Sequence, residues 1–185
     1  MSEVNYGPLA GLIGVWNGDK GIDIAPEPKG TEETGYFETI TFTAIGDVTN
    51  ASKQTLSVLH YSQIVSNKAS GDVFHHESGY WMWDPSDNTV MHSLVIPRGV
   101  AVLAGGTCAA PSSAQDTVTI EVKATDGDKD WNIAQSPFMQ NNAKTTSFQH
   151  TITVGNGKLS YSETTMLDIY GKVFEHTDAN ELTRD

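Results

Sequence analysis

The stretch Gly7-Pro8-Leu9-Ala10-Gly11-Leu12-Ile13-Gly14-Val15-Trp16-Asn17-Gly18-Asp19-Lys20-Gly21 decides how the rest of the chain is read. Pro8 suits the opening turn of a helix, where its missing N–H would find no partner anyway. Leu9, Leu12 and Ile13 fall at i, i+3 and i+4, so they share one apolar stripe. Gly14 ends that turn, and Val15-Trp16-Asn17-Gly18 opens a strand carrying a large aromatic plug. The expected picture is a short helix that lids a barrel, followed by a first strand whose Trp closes that end.

Working outward, nearly everything downstream is strand and turn. Gly35–Ala44, Gln54–Val65, Val73–Trp83, Thr89–Ile96, Val100–Cys108, Thr117–Ala124, Thr145–Val154, Lys158–Ile169 and a final segment Val173–Thr177 carry β-branched and aromatic residues between turn residues. Gly155-Asn156-Gly157 is a hairpin turn of the type that needs positive φ. Three stretches are expected to be irregular: Ile22–Glu33, with Pro26 and Pro28, Gly46–Lys53, and Asn132–Asn142. The sum is about nine or ten antiparallel strands with a short N-terminal helix, and such a meander protects its edges by closing into an up-and-down barrel. A barrel of that girth leaves room inside for one small ligand.

Composition narrows the function classes. The 185 residues suit a single domain over 1–185, and no apolar run is long enough for a membrane-spanning helix. A net charge of −12 with no Lys/Arg cluster disfavours nucleic acid and anionic membrane surfaces as partners. Cys108 is the one cysteine and Met1–Asn5 has no signal-peptide character, so the expected location is the cytoplasm. No phosphate loop, serine nucleophile elbow or Cys–His pairing is present.

With the strands in place, the chain resembles the nitrobindin family, heme-binding β-barrels related to the fatty-acid-binding proteins. The blocks that carry the resemblance are Gly14-Val15-Trp16-Asn17-Gly18-Asp19-Lys20-Gly21, Leu59-His60-Tyr61-Ser62-Gln63, His75-His76-Glu77-Ser78-Gly79-Tyr80, Ile96-Pro97-Arg98-Gly99-Val100 through Gly106, and Leu159-Ser160-Tyr161 followed by Met166 and His176. They run in order from Gly7 to about Leu182. Three departures stand out. One extra residue separates Gly18 from Gly21, the text around His176 is polar on both sides, and the stretches Ala25–Gly30 and Ala110–Gln115 look like insertions.

The resemblance implies heme b held by His176 as the iron ligand, with Trp16, Tyr61, His75 and Arg98 around the cofactor. It also implies NO binding or the isomerisation of peroxynitrite to nitrate at the open axial position. The alternative is a non-catalytic carrier that holds a small apolar ligand in the same barrel without iron. The expected partner is thus a small molecule, and a homodimer is left open. Read from the residues alone, His75 and His76 face opposite sides of their strand, so one of them looks inward. His60, His92 and His150 each share a face with apolar neighbours and could meet as a metal site. Glu38, Glu77 and Glu163 lie in strand interiors, and Arg98 stands at a strand break where it could fork onto a carboxylate.

Overall fold

Residues 4–113 and 116–185 are described by a computed structural model. The chain opens with a 3₁₀ helix over Gly7–Leu12 and continues through eleven strands: β1 (Gly14–Glu27), β2 (Gly30–Asn50), β3 (Gln54–Asn67), β4 (Val73–Asp84), β5 (Thr89–Ile96), β6 (Val100–Thr107), β7 (Val118–Thr125), β8 (Ile133–Gln135), β9 (Ala143–Gly155), β10 (Lys158–Ile169) and β11 (Lys172–Arg184). A short helix, α1 (Pro137–Asn142), sits between β8 and β9. All pairings are antiparallel. The order β5-β4-β3-β2-β1-β11-β10-β9-β7-β6, with β5 also paired to β6, closes a ten-stranded ring, and β8 adds onto β6.

The lid is as expected. Leu9 and Leu12 of the 3₁₀ helix are fully buried, and Trp16 donates its indole N–H to the Leu12 carbonyl at 2.6 Å. Trp83, Val154, Leu159 and Leu182 complete a dry plug at that end. Nothing larger than hydrogen fits at Gly7, whose φ is +51° and whose Cβ would enter the Trp83 ring.

Three expected irregular stretches turn out to be ordered. Ile22–Glu33 is the outer half of the β1–β2 hairpin, paired from Ile22↔Gly35 to Glu27↔Gly30. Pro26 is tolerated because β11 stops pairing with β1 at Ile24↔Thr177, leaving no ladder bond for it to donate. Gly46–Lys53 is likewise the end of the β2–β3 hairpin, which turns at Ala51 and Ser52, both with positive φ. Asn132–Asn142 supplies β8 and α1, whose first turn is capped by Ser136 Oγ accepting from Met139 N–H. The final strand is also longer than Val173–Thr177, running to Arg184.

The extra residue in the first motif has a structural home. Gly18 pairs with Glu38 while Gly21 pairs with Tyr36, so β1 spends three residues where β2 spends two. That is a β-bulge. The freed Lys20 N–H donates to Asn180 Oδ1 at 3.2 Å, and Gly21 is obligatory because a Cβ there would enter the Tyr36 ring.

Candidate functional site

Opposite the plug the barrel holds a cavity of about 600 Å³. Its mouth is apolar, with Phe74, Ile96, Phe138, Met139, Leu167 and Ile169, and Arg98 stands at the rim on the exposed β5–β6 turn. Deeper in, the wall becomes strongly polar. Asp23 faces Asp178 across β1–β11, Asp178 faces Glu163 across β11–β10, and Glu163 faces His150 across β10–β9. Same-face neighbours in such a row have Cβ atoms about 5 Å apart, so these groups interact directly.

His176 lies beside this row in the cavity wall. Its Nε2 is 2.7 Å from Asp23 Oδ1 and 3.5 Å from Asp178 Oδ2. Burial alone would lower the imidazole's pKa, but the Asp23 hydrogen bond and the two carboxylate charges raise it above its ordinary value. Burial pushes the Asp178 carboxyl upward too, against the pull of His176. The three donors Asp23, His176 and Asp178 lie within 4.8 Å of one another, a spacing at which they could hold a metal ion. His75 faces in and pairs with Glu77 at 3.5 Å on the far wall, while His76 is exposed.

Below the cavity runs a hydrogen-bonded layer. Glu38 accepts from Gln63 Nε2 at 2.7 Å, Tyr161 Oη at 3.0 Å and Asn180 Nδ2 at 2.7 Å. Burial nonetheless dominates and raises its carboxyl to about 7. The Tyr161 and Tyr36 hydroxyls are 2.9 Å apart. Tyr61 donates a short hydrogen bond to Glu77, and His92 Nε2 reaches the same hydroxyl at 2.8 Å.

The structure therefore gathers His176, His75 and Arg98 around one space and sets two other expected site residues apart. Trp16 belongs to the plug at the opposite end, because its indole is spent on the Leu12 carbonyl and its face on the Arg184 guanidinium 4.6 Å away. Tyr61 lies beneath the cavity floor and touches a guest only through Glu77, which does line the cavity. The three histidines that could have met as a metal site do not all converge. His60 turns outward to Ser78 Oγ (3.2 Å) and Tyr80, whereas His92 and His150 meet inside with ring centres 5.5 Å apart. Sequence reasoning missed Asp23 and Asp178. The alternation Gly21-Asp23-Ala25 against Ile22-Ile24 was the available signal, but it runs inverted here, with Ile22 53% exposed and Asp23 inside.

A shallower cleft of about 790 Å³ follows β1, β10 and β11 on the outside of the plugged end. Its ion pair Lys20–Glu181 is two-thirds exposed, so it lacks the desolvation that gives buried charges chemical force.

A family model for the THAP4-like, heme-binding beta-barrel domain matches residues 5–184. The chain belongs to that family. Among solved structures it is similar to Rv2717c from M. tuberculosis, with a TM-score of 0.72 and 22% identity over 99% of each chain, a likeness of fold. No curated protein matches. Within this heme-binding family, the donor chemistry of the cavity is the relevant test of fit. A metal-bound histidine ordinarily gives its second ring N–H to a carboxylate, a backbone carbonyl or a water. His176 has that arrangement, Nε2 on Asp23, and its Nδ1 makes no hydrogen bond among the described residues. An apolar mouth, a guanidinium at the rim and a volume within the usual range for ligand sites agree with a bulky amphipathic anion such as heme. Among the described residues, no helix is long and apolar enough to cross a membrane.

Proposed function

We propose that the cavity takes heme b, with His176 as the iron ligand through Nδ1. The observation that carries this reading is the Asp23–His176 pair in the cavity wall, a ring already oriented by a carboxylate. Asp23 holds the Nε2 proton and makes the imidazole a stronger donor. Arg98 offers a propionate a two-pronged partner at the rim. The apolar mouth residues would pack against the macrocycle and keep bulk water out. When bound, heme would supply an iron centre able to take NO or peroxynitrite. A cytoplasmic site of action is part of this proposal, supported by the single thiol, Cys108.

Titration of the purified protein with hemin tests it. The expected result is a Soret band that saturates at one heme per chain and is lost or shifted in His176→Ala. A wild-type protein that leaves the hemin spectrum unchanged overturns the reading, as does a His176→Ala spectrum identical to wild type.

One observation favours a second reading, carriage of a small ligand without iron. The carboxylates of Asp23 and Asp178 both favour a proton on His176, and an imidazolium is no iron ligand. Native mass spectrometry of the protein as purified separates the two. Retention of an organic guest by protein that refuses hemin selects the carrier.

A further inference from the structure

Two buried ring nitrogens stand without a hydrogen-bond partner among the described residues: His92 Nδ1 and His150 Nε2. Both histidines are more than nine-tenths buried, His92 at 1% exposure and His150 at 7%. Leaving such a group unpaired costs about 1–3 kcal/mol, so native structures satisfy them.

The surrounding donors settle which kind of partner they need. Tyr61 has one hydroxyl proton and gives it to Glu77. Its oxygen must therefore accept from His92, which puts the proton of that ring on Nε2. Burial drives the His92 pKa well below its ordinary value, so the ring is neutral and Nδ1 is a bare lone pair. On the other side, His150 Nδ1 is 2.9 Å from Glu163 Oε2, and a carboxylate takes the proton from the ring's N–H. In the neutral ring this leaves Nε2 as a second bare lone pair. The two rings are neighbours, T-shaped with centres 5.5 Å apart. A single water has two O–H donors, the number that two bare nitrogens on neighbouring rings call for.

We propose that one internal water, donating both of its protons, is bound between His92 and His150 beneath the cavity floor. Two arms leave it in opposite directions. One runs through His150 to Glu163, the other through His92 and Tyr61 to Glu77. In the ten-stranded ring β4 and β10 lie diametrically opposite, so the arms end on carboxylates in facing walls of the cavity. Each arm presents an N–H or O–H to its carboxylate. His92 and His150 are thereby positioning residues: they fix where the two wall carboxylates point and keep both as acceptors toward any guest. The site stands whether the guest is heme or another molecule.

Imidazole ¹⁵N NMR on the wild-type protein is the test and needs no variant. The expected pattern is one protonated and one bare nitrogen per ring, with His92 protonated at Nε2 and His150 at Nδ1. A high-resolution crystal structure should show a solvent peak within hydrogen-bond distance of both bare nitrogens. A doubly protonated His150 donating directly to His92 overturns the proposal, because no water is then needed. A dry gap does so as well, and so does a metal ion that co-purifies and is removed by chelator. In His92→Phe, which keeps the ring volume, the Tyr61 arm loses its donor. The expected signature is a changed Tyr61 hydroxyl proton resonance, with His150 keeping its Nδ1–H. A Tyr61 resonance unmoved from wild type contradicts the arm.

Discussion

The two ends of the barrel are built from the same strands and differ in what those strands point inward. At the plugged end β1, β4, β9, β10 and β11 contribute Trp16, Trp83, Val154, Leu159 and Leu182, none more than 4% exposed. At the other end β1, β4, β10 and β11 contribute Asp23, Glu77, Glu163, Asp178 and His176. A single strand thus changes from carrying stability to carrying chemistry within about two turns of the pleat. The lesson is one of division. The dry end holds the ring closed, which allows the wet end to keep buried charges that the fold would not otherwise tolerate.

That division can be broken most visibly at the plug. Trp16→Ala removes one of the two tryptophans there and should lower unfolding free energy by about 3–5 kcal/mol in urea titrations. A cost as small as that of a surface substitution would mean that the lid carries no stability. The pH dependence sharpens the contrast from the other side. Glu38, with its folded-state pKa raised from 4.5 to about 7, binds a proton more tightly folded than unfolded. Its contribution is therefore fully present below pH 4.5 and lost as pH rises through about 7, worth about 3 kcal/mol over that window. Asp178, His176 and His75, also raised, act in the same direction. His92, lowered, acts oppositely: its share is lost as pH falls below 6.5. Thermal melts should show a net loss of stability from about pH 5 to 8, and a shallower slope in Glu38→Gln.

Smaller effects test the site itself. Asp23→Asn removes the carboxylate behind His176 and should weaken hemin affinity about 10- to 100-fold while the melting temperature changes little. Equal hemin affinity in the variant would separate the Asp23–His176 pair from ligand binding. Smallest of all, Lys20→Ala deletes a largely exposed ion pair with Glu181 and should leave both melting and hemin uptake unchanged.

Much of this architecture was legible beforehand, for local reasons. The turn at Asn156-Gly157 has positive φ at both residues, as its composition required. His75 and His76 part to opposite faces because the strand period is two. Asp23 was hidden because the pattern that marks a strand is inverted beside a polar cavity: Ile22 faces solvent and the carboxylate faces in. His60 was misplaced for the converse reason. Its apolar neighbours Val58 and Ile64 share its face, yet that face is the outer one and Ile64 is 43% exposed.

By itself the sequence determined the lid, the hairpin turns and the run of antiparallel strands, because periodicity, glycine and proline act over a few residues. Only the tertiary structure decided that Asp23, His176 and Asp178 share one space and that His92 and His150 face each other without a direct bond. Those groups come from strands up to about 150 residues apart, and ring closure, absent from any local pattern, sets their distances.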